Sequence, residues 1–94
     1  MNPVKVEGNR RKPKLFLYTL STCGWCKKTK EYLKEYGMAY KYVDVDNVTK
    51  EEQKQVIDEL KERNVPLAFP IIILDDEQVI SGFKKQAIEG AITR

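Results

Sequence analysis

At 94 residues the chain is long enough for one hydrophobic core and too short for two. Apolar residues reach 41% against 33% charged, which excludes an unfolded, self-repelling chain, and no apolar run approaches the roughly 18 residues of a membrane span. The net charge of +3 is unevenly placed: residues 1–14 carry five basic side chains against Glu7 alone, so residues 15–94 come to −1.

The basic segment, residues 1–13, is expected to be a solvated arm. Its "NRRKPK" lacks the interleaved aromatics of a nucleic-acid surface, so no nucleic-acid partner is expected. It also lacks the apolar stretch of a signal peptide, which favours a cytoplasmic setting, with no membrane partner and few permanent disulfides. Within it "VKVEG" alternates apolar and polar residues and offers a short extra edge strand.

From residue 14 the pattern alternates between strand and helix. "LFLYTL" (15–20) is a continuous β-favouring run, short enough for a strand buried on both faces, with Tyr18 in the core. Cys26, Thr29, Leu33 and Tyr36 then recur at helical spacing until Gly37 supplies a left-handed stop. "AYKYVDV" (39–45) alternates as a half-covered strand. Thr49 and Glu52 form a capping box for a second helix that buries Val56, Ile57 and Leu60 and ends near Asn64. Ile71–Leu74 is another buried strand, "DDE" (75–77) a turn, and "QVI" (78–80) the return of a hairpin. Ser81 and Gly82 open a last helix burying Ala87, Ile88, Ala91 and Ile92. The order β-α-β-α-β-β-α predicts an α/β domain over residues 14–94. In it a right-handed βαβ unit and a hairpin build a four-stranded mixed sheet flanked by three helices.

Both cysteines of the chain fall in "STCGWCKK" (21–28), where the first strand passes into the first helix. Cys23 meets the unpaired N–H groups and positive end of that helix, which favour a thiolate, and Cys26 lies one turn inside. A ring closed over two intervening residues stabilises a fold little, so stapling is a poor explanation. Structural zinc needs four ligands, and this chain has no histidine and no second cysteine pair. The leading reading is dithiol redox chemistry: Cys23 attacks a disulfide and Cys26 resolves it, with a Cys23–Cys26 disulfide as the oxidised form and no bound cofactor. Two others stay open, an iron–sulfur or metal carrier using the thiolates at a dimer interface and a redox-inert binding module. Trp25, between the cysteines, is either a ring shielding the thiolate or an apolar contact for a partner protein. Thr22 is placed to cap the helix.

"LYTLSTCGWC", "FPIIIL" and "SGFKKQAI" together resemble the glutaredoxin-like branch of the thioredoxin fold, over roughly residues 14–94. The resemblance implies that Pro70 is a cis-proline facing the dithiol and presenting the backbone of Phe69 to substrate. It further implies a substrate surface of Thr22, Gly24, Trp25, Phe69, Pro70, Ser81, Gly82 and Phe83. Relatives that use glutathione commonly carry lysine three positions before the first cysteine, T-V-P before the third strand, and a Gly-Gly pair near the last helix. Here those places hold Leu20, Ala68-Phe69-Pro70 and Ser81-Gly82-Phe83-Lys84. The S-G-F segment is more similar to redoxins that serve ribonucleotide reductase and are reduced by thioredoxin reductase. The implied partners are protein disulfides, ribonucleotide reductase among them, and a disulfide reductase, with glutathione an alternative co-substrate. A monomer is expected.

Overall fold

The computed structural model describes residues 2–93; residues 1 and 94, the outer ends of the expected arm and domain, lie outside the described residues. Five strands form one sheet, β1 (Val4–Val6), β2 (Leu15–Thr19), β3 (Tyr40–Asp44), β4 (Ile71–Leu74) and β5 (Gln78–Ser81), in the order β1-β3-β2-β4-β5. Helices α1 (Gly24–Glu35), α2 (Lys50–Glu62) and α3 (Lys85–Ile92) cover its faces. β2 and β3 run parallel, joined through α1, while β2–β4, β4–β5 and β1–β3 are antiparallel.

The sheet divides the core in two because strand side chains alternate between faces. Leu15, Leu17, Ile72, Leu74 and Ile80 pack with Leu33 of α1 and with Ile88, Ala91 and Ile92 of α3. Tyr18, Val43, Ile71 and Ile73 pack on the other face with Val56 and Leu60 of α2. Both longer helices end as their residues dictate. Met38 N–H reaches Leu33 O (3.0 Å) and Gly37 N–H reaches Lys34 O (2.9 Å), with Gly37 at φ +66°. Asn64 repeats the motif after α2 at φ +57°. The Thr49–Glu52 capping box is present. Asp75 and Asp76 take positive φ in the hairpin turn, a region that short polar side chains tolerate.

The edge strand offered by the arm is present, while the count of four strands, the half-covered β3 and the start and burial of the last helix are corrected. The sheet has five strands, because the alternating "VKV" of the arm pairs with β3. The arm is mostly exposed and also docked: Arg10 N–H donates to Gly37 O (2.9 Å), Ala39 N–H to Arg10 O (2.8 Å), and the Arg10 guanidinium to Ile92 O (2.7 Å). Gly8 makes this possible, since a Cβ there would stand 2.5 Å from Met38 C and 2.6 Å from both Ala39 N and Gly37 O. β3 is consequently an interior strand packed on both faces, with Tyr40 and Tyr42 against the α1–α3 core and only Lys41 exposed. The last helix begins at Lys85 rather than at Ser81, which completes β5, and Ala87 is exposed. It sits about 100° around the helix from Ile88, off the Ile88–Ala91–Ile92 stripe.

Candidate active site

Strand register gathers the candidate residues at one end of the sheet. β2 ends at Thr19 beside Asp44, where β3 ends; β4 begins at Ile71, which pairs with Tyr18 on one side and with Ser81, the end of β5, on the other. The loop into α1, the segment before β4 and the segment after β5 therefore emerge together. Cys23, Pro70 and Gly82, distant in sequence, share that end.

Cys23 is the N-cap of α1. Its backbone is extended and its Sγ accepts the Cys26 N–H at 3.2 Å, while its carbonyl accepts the Lys27 N–H at 3.1 Å. Sulfur occupies the position that a serine or aspartate oxygen usually fills, so an amide donor and the positive helix end face it. The expected cap at Thr22 is corrected: Thr22 is exposed, and only the residue directly before Gly24 aims its side chain over the first turn.

Cys26 has a contrasting environment. It is 1% exposed, and burial pushes its thiol up to about 12. Its contact with Cys23 adds to the rise, while the Leu20 backbone and the Lys30 ammonium oppose it. Both sulfurs are free thiols, Cys23 partly exposed and Cys26 buried.

Around this pair lies a polar network that the sequence did not signal. Thr19 Oγ1, fully buried, donates to Asp44 Oδ1 at 2.6 Å, and Lys30 Nζ approaches the same oxygen at 3.5 Å. That ammonium also stands 3.6 Å from the centre of the Tyr42 ring. Asp46 accepts both the Ser21 hydroxyl and the Ser21 N–H (2.9 Å), bonds that hold its carboxyl below the usual range. The two aspartates of "VDVD" thus tether the chain on the N-terminal side of Cys23. Lys30 is held one turn beyond Cys26. The available signals were Lys30 four residues after Cys26, and two aspartates spaced by two at the end of a strand.

The expected substrate surface divides. Trp25 is 57% exposed and stacks on Phe83 with ring centroids 5.6 Å apart, joining the "CGWC" turn to the "SGF" segment. Gly24 is exposed, with open space where a Cβ would point. The Phe69–Pro70 peptide is cis, and Pro70 is buried. The Phe69 ring packs against the α2 core. Ser81 and Gly82 act as braces: the Ser81 hydroxyl donates to Pro66 O (2.8 Å) and Ala68 O (3.2 Å), and Gly82 N–H donates to Pro70 O (2.7 Å). Among the described residues no three cysteine or carboxylate side chains gather as metal ligands would.

The glutaredoxin family pattern matches residues 15–80. A glutaredoxin-like 8.6 kDa protein of the rubredoxin operon of Clostridium pasteurianum is 35% identical over 78 residues, spanning 83% of this chain and 96% of that protein. The solved glutaredoxin of Methanosarcina mazei superimposes with a TM-score of 0.81 and 35% identity, over 100% of this chain and 90% of its own. Methanoredoxin of Methanosarcina acetivorans superimposes with a TM-score of 0.81 and 38% identity, over 100% and 97%.

Proposed function

The chain belongs to the glutaredoxin family and is a thiol–disulfide oxidoreductase, and from that premise we propose that Cys23 is the attacking sulfur and Cys26 the resolving one. The observation that carries this assignment is the difference in burial. Cys23 is reachable at the helix start, whereas Cys26 is 1% exposed and meets only what is already bonded to Cys23. The Cys23 thiolate attacks a substrate disulfide, forms a mixed disulfide and releases one substrate thiolate, which takes up a proton. Cys26 then loses its proton and attacks the Cys23 sulfur. The second substrate thiolate leaves, is protonated, and the Cys23–Cys26 disulfide closes. Two electrons and two protons have moved to the substrate, and an external two-electron reductant restores the dithiol.

Thr22 and Gly24, both exposed beside Cys23, and the Trp25–Phe83 pair form the proposed rim against which the substrate lies. Pro70, without an N–H, leaves the Phe69 backbone open to it. The reductant we favour is a thioredoxin-reductase-type enzyme, with glutathione second. Leu20, where glutathione users place a lysine, is half-buried against the α2 core and offers no cation to a glutathione carboxylate. Protein disulfides, ribonucleotide reductase among them, are the proposed substrates of a monomer.

The test is substitution at each sulfur. Cys23→Ser should abolish disulfide reduction, and Cys26→Ser should accumulate a mixed disulfide visible by mass spectrometry. Full two-thiol turnover by Cys26→Ser would sink the assignment.

A further inference from the structure

We infer that the strip of lysines and aromatic rings beside Cys23 is a docking surface for acidic protein segments, those bearing carboxylates and an apolar side chain around the disulfide to be reduced. The inference rests on the dithiol reading for the chemistry after docking, but its geometry stands apart from the sulfurs.

The strip runs from Lys28 to Lys85 through exposed Trp25, half-buried Phe83 and the buried Tyr32 ring. Lys28 Nζ lies 5.3 Å from the centre of the Trp25 ring, and Trp25 stacks on Phe83. Phe83 meets Tyr32 edge-on at 6.1 Å, and Lys85 Nζ stands 5.9 Å from the Tyr32 ring. An ammonium over a ring keeps its charge beside apolar surface instead of swinging into solvent. Lys27 and Lys84, also exposed, are the chain neighbours of Lys28 and Lys85 and add to the positive charge of the rim.

Charge complementarity selects the occupant. None of these four lysines joins the ion pairs found among the described residues, which are Lys5–Glu7, Lys14–Asp76, Lys30–Asp44 and Arg63–Glu59. Glu31 and Glu89 lie on the same helices, and Glu89 accepts the Tyr32 hydroxyl at 3.1 Å, but neither forms an ion pair with these lysines among the described residues. Residues 15–94 total only −1, so the positive rim is a local concentration on a nearly neutral domain. Carboxylates met by this rim gain attraction and faster encounter. The open face of Trp25, 57% exposed, adds a demand for an apolar side chain. A small thiol supplies carboxylates without that apolar partner, and an acidic protein segment supplies both.

Trp25 is the chain's only tryptophan, so its fluorescence reports docking without any redox step. The probes are a Glu- and Leu-containing peptide with serine in place of cysteine, its Lys-containing counterpart, and S-methylglutathione, titrated at low and high salt. The acidic peptide should bind about tenfold tighter than the lysine one at low salt, and the difference should shrink as added salt screens the rim. The double variant Lys28→Gln, Lys85→Gln should weaken acidic-peptide binding about fivefold, the scale of two rim charges. Equal binding of the two peptides, indifference to salt, an unaffected double variant, or S-methylglutathione binding as tightly as the acidic peptide would each overturn the docking surface. Turnover of the neutral hydroxyethyl disulfide tests the dithiol reading separately. If that turnover fails while the acidic peptide binds selectively, the reading falls and the surface stands.

Discussion

In the proposed two-step exchange, the buried thiol at Cys26 should make the second step strongly pH-dependent. A thiol pushed up to about 12 from an ordinary 9.0 is ionised in about one molecule in 10⁵ at pH 7, against about one in 10² for an unperturbed cysteine. Once Cys23 is locked in a mixed disulfide its own contribution to that rise disappears, while burial, the largest cause, persists. The titration of Cys26 in the intermediate should then fall between 9.0 and about 12. Proximity compensates for the scarce thiolate, because the target sulfur is held next to it. Rapid mixing of the reduced protein with an excess of a chromogenic aromatic disulfide separates the steps. The first thiolate released depends on reagent concentration, and the second, expelled by Cys26, does not. The rate of the second phase should climb tenfold per pH unit through neutrality and go on climbing above the ordinary thiol value. A second phase that levels off at or below 9.0 would show that burial does not govern Cys26, and the assigned roles would lose their physical basis.

Lys30→Gln removes a cation that opposes the upward shift at Cys26, so the second phase in the same assay should slow about two- to fourfold, with the first phase less affected. Gly8→Ala forces a Cβ into the Gly37–Ala39 backbone and should destabilise the fold by about 1–3 kcal/mol. Faster hydrogen exchange at the Ala39 amide, which donates to Arg10 O, would mark the arm as the part released. Thr49→Ala deletes the capping box of α2 and should cost about 1 kcal/mol, a fall of about 4–8 °C in the thermal midpoint for a domain this size. An unchanged midpoint would mean that α2 is held by its Val56–Leu60 stripe alone.

Elements whose signal is local were legible in the sequence. The Thr49–Glu52 box, Gly37 after α1 and the apolar run at 71–74 each state their own conformation, because caps and buried strands depend on a few adjacent residues. The dithiol could be placed at a helix start for the same reason. Features that depend on distant residues were less legible. β3 looked half-covered because tyrosines count as polar on paper, yet their rings pack inward, and only pairing with β1 makes it an interior strand. The Thr22 cap was misplaced by one residue, a distance at which only backbone direction decides. Lys30, Asp44, Asp46 and Thr19 are unremarkable singly and acquire meaning through the β2–β3 register. The Trp25–Phe83 contact bridges 58 positions of chain, and no periodicity announces it.

The docked arm has a consequence for the molecule's dealings with copies of itself. A sheet's outermost strand leaves a row of backbone donors and acceptors unpaired, a template onto which another chain can crystallise as a further strand. Without β1 that exposed rung would be β3, five residues long and packed on both faces by Tyr40, Tyr42 and Val43. β1 replaces it with three residues, preceded by Pro3, which has no amide proton to offer, and centred on exposed Lys5. The arm thus works as a selvedge, finishing the sheet with a border too short, too charged and too poor in donors to be extended.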